Sequence, residues 1–181
     1  MKIHGTAKGA ALSTKDFGVA FGGGVPCNQK WIGTPEGGWA DVPLTAVTEA
    51  RVEKFTESGM TSFDVCKFSA YLKKTDTLND TVYSKIWNSS GTIVSTSDDT
   101  YVNADVSTDF GWFEFEFDNI TLAEDYWIGV WYAGNNLAAQ KSVTSGGEPT
   151  SLVAAGMHYD SGSWGGENAG HCYRYIVYSF N

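Results

Sequence analysis

The chain is short of the residues that most often mark chemistry. It has 3 cysteines, 3 histidines and 4 prolines among 181 residues. Cys27, Cys66 and Cys172 are widely spaced and form no CxxC pair, which argues against a zinc site built on cysteine. One disulfide plus one free thiol is open on this count. Cys66 sits on the apolar side of an alternating segment and is expected as a buried thiol. His4, His158 and His171 fit no Ser/His/Asp or HExxH arrangement, so hydrolase triads and zinc peptidases are not expected. Basic residues are also few: 12 Lys and Arg stand against 21 Asp and Glu, for a formal net charge of -9. Phosphate binding needs basic patches, so no nucleic-acid or anionic-membrane partner is expected. No run approaches the roughly 18 consecutive apolar residues of a membrane-spanning helix. Met1-Lys2-Ile3-His4-Gly5 lacks the apolar region of a signal peptide, so the chain reads as intracellular or as an excised piece of a larger secreted protein.

Glycine and aromatics are abundant: 21 Gly, and 14% Phe, Trp and Tyr. Charged residues are 18%, below the usual quarter, and helical periodicity is almost absent. The densest aromatic stretch is Phe110–Ala133. In Trp112–Phe117, residues Phe113, Phe115 and Phe117 share one face, and Trp112, Glu114 and Glu116 share the other. Asp118-Asn119 then interrupts with turn chemistry. In Tyr126–Tyr132, Ile128 and Val130 can pack on the three phenylalanines, which sends Trp127 and Trp131 to the face that carries Trp112.

The rest of the chain follows the same habit. Phe17–Phe21 alternates, then Gly22-Gly23-Gly24 makes a flexible turn. Residues 25–62 read poorly; Trp31 and Trp39 flank a Pro-Glu-Gly-Gly turn and suit the end of a sandwich or a binding rim, and Ala46–Lys54 reads as a strand. Phe63–Leu72 places Cys66, Phe68, Ala70 and Leu72 inward and Val65, Lys67, Ser69 and Tyr71 outward. Thr81–Trp87 places Val82, Ser84 and Ile86 on one face and Tyr83, Lys85 and Trp87 on the other, and Asn88-Ser89-Ser90-Gly91 turns it back into Thr92–Ser97. Residues 134–149 read as a long loop holding at best a short strand, and Cys172–Phe180 as a closing strand. Short strands at this spacing predict one all-β domain over 1–181: an antiparallel β-sandwich of jelly-roll type, with 1–61 its poorly readable N-terminal part.

If the strands neighbour one another, Tyr71, Tyr83, Lys85, Trp87, Trp112, Glu114, Glu116, Trp127 and Trp131 form one aromatic and acidic surface. Pyranose C–H faces stack on Trp and Tyr, and sugar hydroxyls bond to polar groups at the edges. The competing reading covers this face with other segments and makes it a second core layer. Phe68–Lys74, Ser84–Gly91, Leu122–Tyr132 and Tyr159–Trp164 together resemble a jelly-roll β-sandwich module common in secreted microbial and viral multidomain proteins, over about residues 62–180. The resemblance implies a non-catalytic carbohydrate-binding module, part of a larger extracellular protein, that binds a polysaccharide or oligosaccharide and often carries a structural calcium. Asp98, Asp99, Asp105, Asp118 and Asp160 are the oxygen donors expected for such an ion.

Two alternatives stand beside it. Jelly rolls also build virion, tail and surface proteins, where the aromatic face would meet another protein. Some jelly-roll glucanases carry three acids on one strand, and Glu114-x-Glu116-x-Asp118 is an imperfect version of that pattern. Residues at i and i+2 lie about 6.5–7 Å apart, whereas a retaining glycosidase needs its carboxyl groups about 5–5.5 Å apart.

Overall fold

A computed structural model describes residues 27–33, 38–54, 62–142, 155–160, 163–166 and 173–180. These residues contain twelve strands and no helix. In chain order the strands are β1 (Cys27–Gly33), β2 (Trp39–Leu44), β3 (Thr48–Lys54), β4 (Phe63–Lys74), β5 (Tyr83–Trp87), β6 (Ile93–Thr96), β7 (Gly111–Leu122), β8 (Trp127–Trp131), β9 (Leu137–Ser142), β10 (Ala155–Asp160), β11 (Ser163–Gly166) and β12 (Tyr175–Phe180).

Two antiparallel sheets result, and the expected antiparallel β-sandwich is what they form. The first runs β1-β12-β4-β9-β2, with β7 also paired to β4; the second runs β11-β10-β3-β8-β5-β6. In the first sheet, β7 lies along β4 from Phe63↔Leu122 to Leu72↔Gly111. The opposite edge of β4 is shared: β12 takes Val65–Ala70 and β9 takes Leu72–Lys74. The outer edge of β7 is covered by the connection after β6. Asp98 N–H donates to Glu116 O (3.0 Å), Glu116 N–H to Asp99 Oδ2 (3.2 Å), and the Tyr101 hydroxyl to Glu114 O (2.6 Å). Burial pushes the Tyr101 phenol up from its ordinary value; its bond to the Glu114 backbone opposes this, and the nearby Asp99, Glu114 and Asp105 carboxylates add to it.

The core lies between the sheets. Phe68, Ala70, Leu72, Phe113, Phe115, Tyr175 and Val177 come from the first sheet, and Val82, Ile86, Ile128 and Val130 from the second. Ile128 and Val130 therefore share a core with the phenylalanines, as expected, but across the sandwich. The strand polarity expected for Thr81–Trp87 holds, as does the Asn88–Gly91 turn. There the Asn88 side-chain oxygen accepts from Ser90 and Thr92 N–H (3.1 and 3.0 Å), and Gly91 takes φ 78°. Ala46–Lys54, read as a strand, contains β3.

Four expectations are corrected. Asp118-Asn119 does not end a strand. The register passes from Lys67↔Glu116 to Val65↔Ile120, so Phe117, Asp118 and Asn119 bulge opposite Cys66 alone, and β7 continues to Leu122. The turn itself comes later, where Tyr126 N–H donates to Ala123 O (3.1 Å) and Asp125 takes φ 63°. Val65 is fully buried rather than outward, because the irregularity between Val65 and Lys67 breaks the alternation there. Residues 137–142 are a full strand with Leu137, Ala138 and Ala139 buried, where a loop holding at best a short strand was expected; alanine and its polar neighbours give little hydrophobic contrast. Cys66 is no thiol: it is disulfide-bonded to Cys27. The Phe17–Phe21 strand, His4, His171 and Cys172 lie outside the described residues.

The disulfide spans 39 positions and ties the start of β1 to β4, with β12 between them in the sheet. Closing a loop of that size is worth about 4 kcal/mol in the chain-entropy account. Cys27→Ser is expected to lower unfolding stability by up to about that amount in urea titrations. An unchanged midpoint, in this variant and after reduction of the native chain, would mean that the bond does not form.

Candidate functional site

The structure divides the expected aromatic surface in two. Tyr71, Trp112, Glu114 and Glu116 stand on β4 and β7 of the first sheet; Tyr83, Lys85, Trp87, Trp127 and Trp131 stand on β5 and β8 of the second. Each set points away from the shared core, so the two sets lie on opposite sides of the sandwich. The expectation of one surface failed because it placed the two central strands side by side, when the turn at Ala123–Tyr126 carries the chain from one sheet to the other.

On the second sheet the tryptophans form a small outer core. Trp87 is 2% exposed and Trp127 6%, packed with Ala50 and Val52 and flanked by Trp131 and Trp164. Trp164 belongs to β11, three strand steps from β8, about 14 Å in a flat sheet. Yet its ring lies 4.4 Å from that of Trp127 and 5.3 Å from that of Trp87, so the three rings meet over the outer face of the sheet. The Asn88–Gly91 turn closes the layer: a Cβ on Gly91 would sit 3.1 Å from Trp164 Nε1 and 3.4 Å from the Trp127 ring. Beneath it, a Cβ on Gly129 would meet Arg51 O at 2.2 Å, so β3 and β8 approach only with glycine there. Lys85 caps the edge, 4.2 Å over Trp131 and 5.9 Å from the Tyr83 ring centre. Burial pushes its ammonium below the ordinary lysine value, with the Glu49 carboxylate opposing.

The first sheet presents a more open row. Trp112 is 40% exposed. Tyr71 pairs with it across β4 and β7, with ring centres 5.1 Å apart, and Phe110 stacks on Tyr71 at 5.3 Å. Arg174 enters where β12 gives way to β9: its carbonyl accepts from Tyr71 N–H (3.1 Å) and its own N–H donates to Gln140 O (3.0 Å). The guanidinium lies 4.0 Å over Tyr71 and 5.5 Å from both Trp39 and Trp112, and Nη1 donates to Gln140 Oε1 (3.1 Å). The row therefore crosses β2, β9, β4 and β7. Lys73 flanks it, bound to Asp41 (2.6 Å) and 4.5 Å over Phe110. Further along, Lys67 binds Glu114 (2.9 Å) and lies 4.2 Å over Tyr178.

Sequence reasoning found Tyr71 and Trp112 and offered Trp39 for a sandwich end or a binding rim, but it did not find Arg174 or Phe110. Trp39 was legible from the alternation Trp39-Ala40-Asp41-Val42, which sends Trp39 and Asp41 outward. Arg174 was legible from Tyr173, Tyr175 and Val177, which are buried and leave it on the other face. Phe110 precedes its strand and carried no periodic signal.

The carboxylates separate into two kinds. Asp99 Oδ2 accepts from Glu116 N–H (3.2 Å) and Asp105 Oδ2 from Val102 N–H (2.9 Å), so both brace backbone. Asp98, Glu116 and Asp118 line one cavity of about 490 Å³ with Lys67, Phe117, Phe180 and the Cys27–Cys66 disulfide; the β7 bulge is what brings Asp118 there. Asp160 ends β10, paired with Ser163. Among the described residues no three His, Cys, Asp or Glu side chains are grouped for a metal. Glu114 and Glu116 share the outer face of β7, and Glu114 is held by the Lys67 ammonium.

Comparison with known proteins found no matching family model, no similar curated protein and no similar solved structure.

The two faces predict opposite mutational behaviour. Trp87→Ala empties a buried layer and is expected to cost about 3–5 kcal/mol in denaturant unfolding. Trp112→Ala removes a half-exposed ring and is expected to cost no more than about 1 kcal/mol. Equal losses would mean that the first face is as buried as the second.

Proposed function

We propose that this β-sandwich, of jelly-roll type, is a non-catalytic carbohydrate-binding module, and that its polysaccharide lies across the outer face of the first sheet. The observation that carries the reading is the exposed Trp112 in a row with Tyr71, Phe110 and Trp39. Large rings left in water are uncommon unless a partner covers them. Polar groups suited to sugar hydroxyls border the rings: Gln140, Asp41, Lys73 and Arg174. Arg174 lies nearest over Tyr71 (4.0 Å, against 5.5 Å over Trp39 and Trp112), so Tyr71 acts as support and Trp112 and Trp39 are the stacking surfaces. A binding role without hydrolysis is favoured because Glu114, a candidate acid, is paired with Lys67.

The Cys27–Cys66 disulfide supports an extracellular setting, where such bonds persist, and with it membership of a larger secreted protein. Calcium is proposed as a structural ion at the loop ends, with Asp98 and Asp118 its best-placed donors because they share a cavity.

Affinity electrophoresis against soluble glucans, mannans, xylans and polyuronates, with and without chelator, tests the reading. Retardation by one class is expected, weakened roughly thirtyfold (about 2 kcal/mol) in Trp112→Ala and unchanged in Trp131→Ala. Loss with chelator would add calcium. A folded protein that no polymer retards and that self-associates in sedimentation would sink the reading, and the face would then be a protein interface.

A further inference from the structure

We infer that Arg174 makes this face selective for an acidic chain, one whose sugars carry carboxylates such as uronic acids; the inference rests on the carbohydrate reading above. Among the described residues, three cations stand on or beside the row. Lys73 is neutralised by Asp41 (2.6 Å) and Lys67 by Glu114 (2.9 Å). Arg174 has only the neutral Gln140 amide on Nη1, and among the described residues no carboxylate lies within 4.0 Å of it. An uncompensated guanidinium is conspicuous in a chain of net charge -9, in which acids are plentiful.

Its surroundings raise the cost of leaving it so. Nε is buried and has no hydrogen-bond partner among the described residues, and the rings of Trp39, Tyr71 and Trp112 surround the guanidinium. Ring faces attract a cation but accept none of its N–H bonds in the way an oxygen does. Holding a cation there without an anion is costly, and a carboxylate meeting the terminal nitrogens of the guanidinium supplies the missing charge, while the buried Nε stays out of its reach. The planar fork of arginine matches a carboxylate in two parallel bonds, and stacking on Tyr71 fixes the plane in advance. A sugar stacked on Trp112 would bring a ring substituent toward that fork, since the guanidinium lies 5.5 Å from the Trp112 ring. The net negative charge of the chain does not forbid this: at physiological salt, charges beyond about 8 Å are largely screened, and the nearest cation decides.

The test compares acidic polysaccharides with their own neutral forms. Polygalacturonate, alginate and a glucuronoxylan are each run in affinity electrophoresis beside their carboxyl-reduced counterparts, in chelator, with the native chain, Arg174→Gln and Arg174→Lys. The expected result is retardation by one acidic polymer, about tenfold or more weaker with its reduced form and in both variants, because a charge-assisted pair is lost each time. Equal retardation by acidic and reduced forms in the native chain overturns the inference and leaves the carbohydrate reading standing. Retardation by neutral polymers alone does the same. No retardation by any polymer overturns both. The acid-versus-reduced comparison needs no substitution, so it decides the question even where the variants fail to fold.

Discussion

A strand has two edges, and β4 must serve three neighbours with them. β7 occupies one edge over the whole pairing, so β12 and β9 divide the other between Ala70 and Leu72. Much of the candidate site follows from this handover. At the junction Arg174 has left the β12 ladder but still accepts from Tyr71 and donates to Gln140. A residue in that position is fixed by backbone bonds on both sides while its side chain is free to lie over the sheet. Trp39 joins the row of Tyr71 and Trp112 because β9, which carries β2 on its far side, takes up the edge of β4 where β12 leaves it.

The alternation of side chains within each strand was legible in the sequence. Phe113, Phe115 and Phe117 are buried and Trp112 is exposed, as a period of two requires. Which sheet a strand joins is not a property of its own period. The segment Ala123–Tyr126 reads equally as a hairpin within a sheet or a passage between sheets, since both need only a short turn. Tyr71 and Trp112 were placed correctly beside each other, whereas Trp127 and Trp131 were attached to the wrong face. Cys66 was misread for a related reason. Its parity pointed to the core, but the ladders on both edges of β4 are irregular at Cys66, and the bond to Cys27 crosses the β12 side, where the register shifts between Tyr178 and Ser179.

The same side chain has two fates here, and the difference is what lies over it. On the second sheet, Trp87 and Trp127 are sealed by Trp164, by the close Gly91 turn and by Trp131 at the flank. Tryptophan there stabilises the fold in the ordinary way, by removing apolar area from water. On the first sheet, Trp112 stays 40% exposed. Its contacts, the tilted Tyr71 ring and the Arg174 guanidinium 5.5 Å over it, leave part of the ring in water. Such contacts hold a ring in one orientation without covering all of it. Binding by stacking needs that combination, because a ring that must first be ordered loses part of its affinity to the ordering.

Arg174 completes the argument, because its position is costly to the free protein. Arginine over Tyr71 could have been compensated by the kind of acid that neutralises Lys67 and Lys73 on the same face. Asp41 and Glu114 are committed to those lysines, and Gln140, the residue that reaches Arg174, is neutral. Packing alone does not account for this choice, since a leucine or methionine would fill the space without a desolvated Nε. A cation held by rings, fixed by backbone at a strand handover and without an anion among the described residues is instead the arrangement that recognition of an external anion requires. The stacking surface would then set where a sugar lies, and the guanidinium which sugar it is.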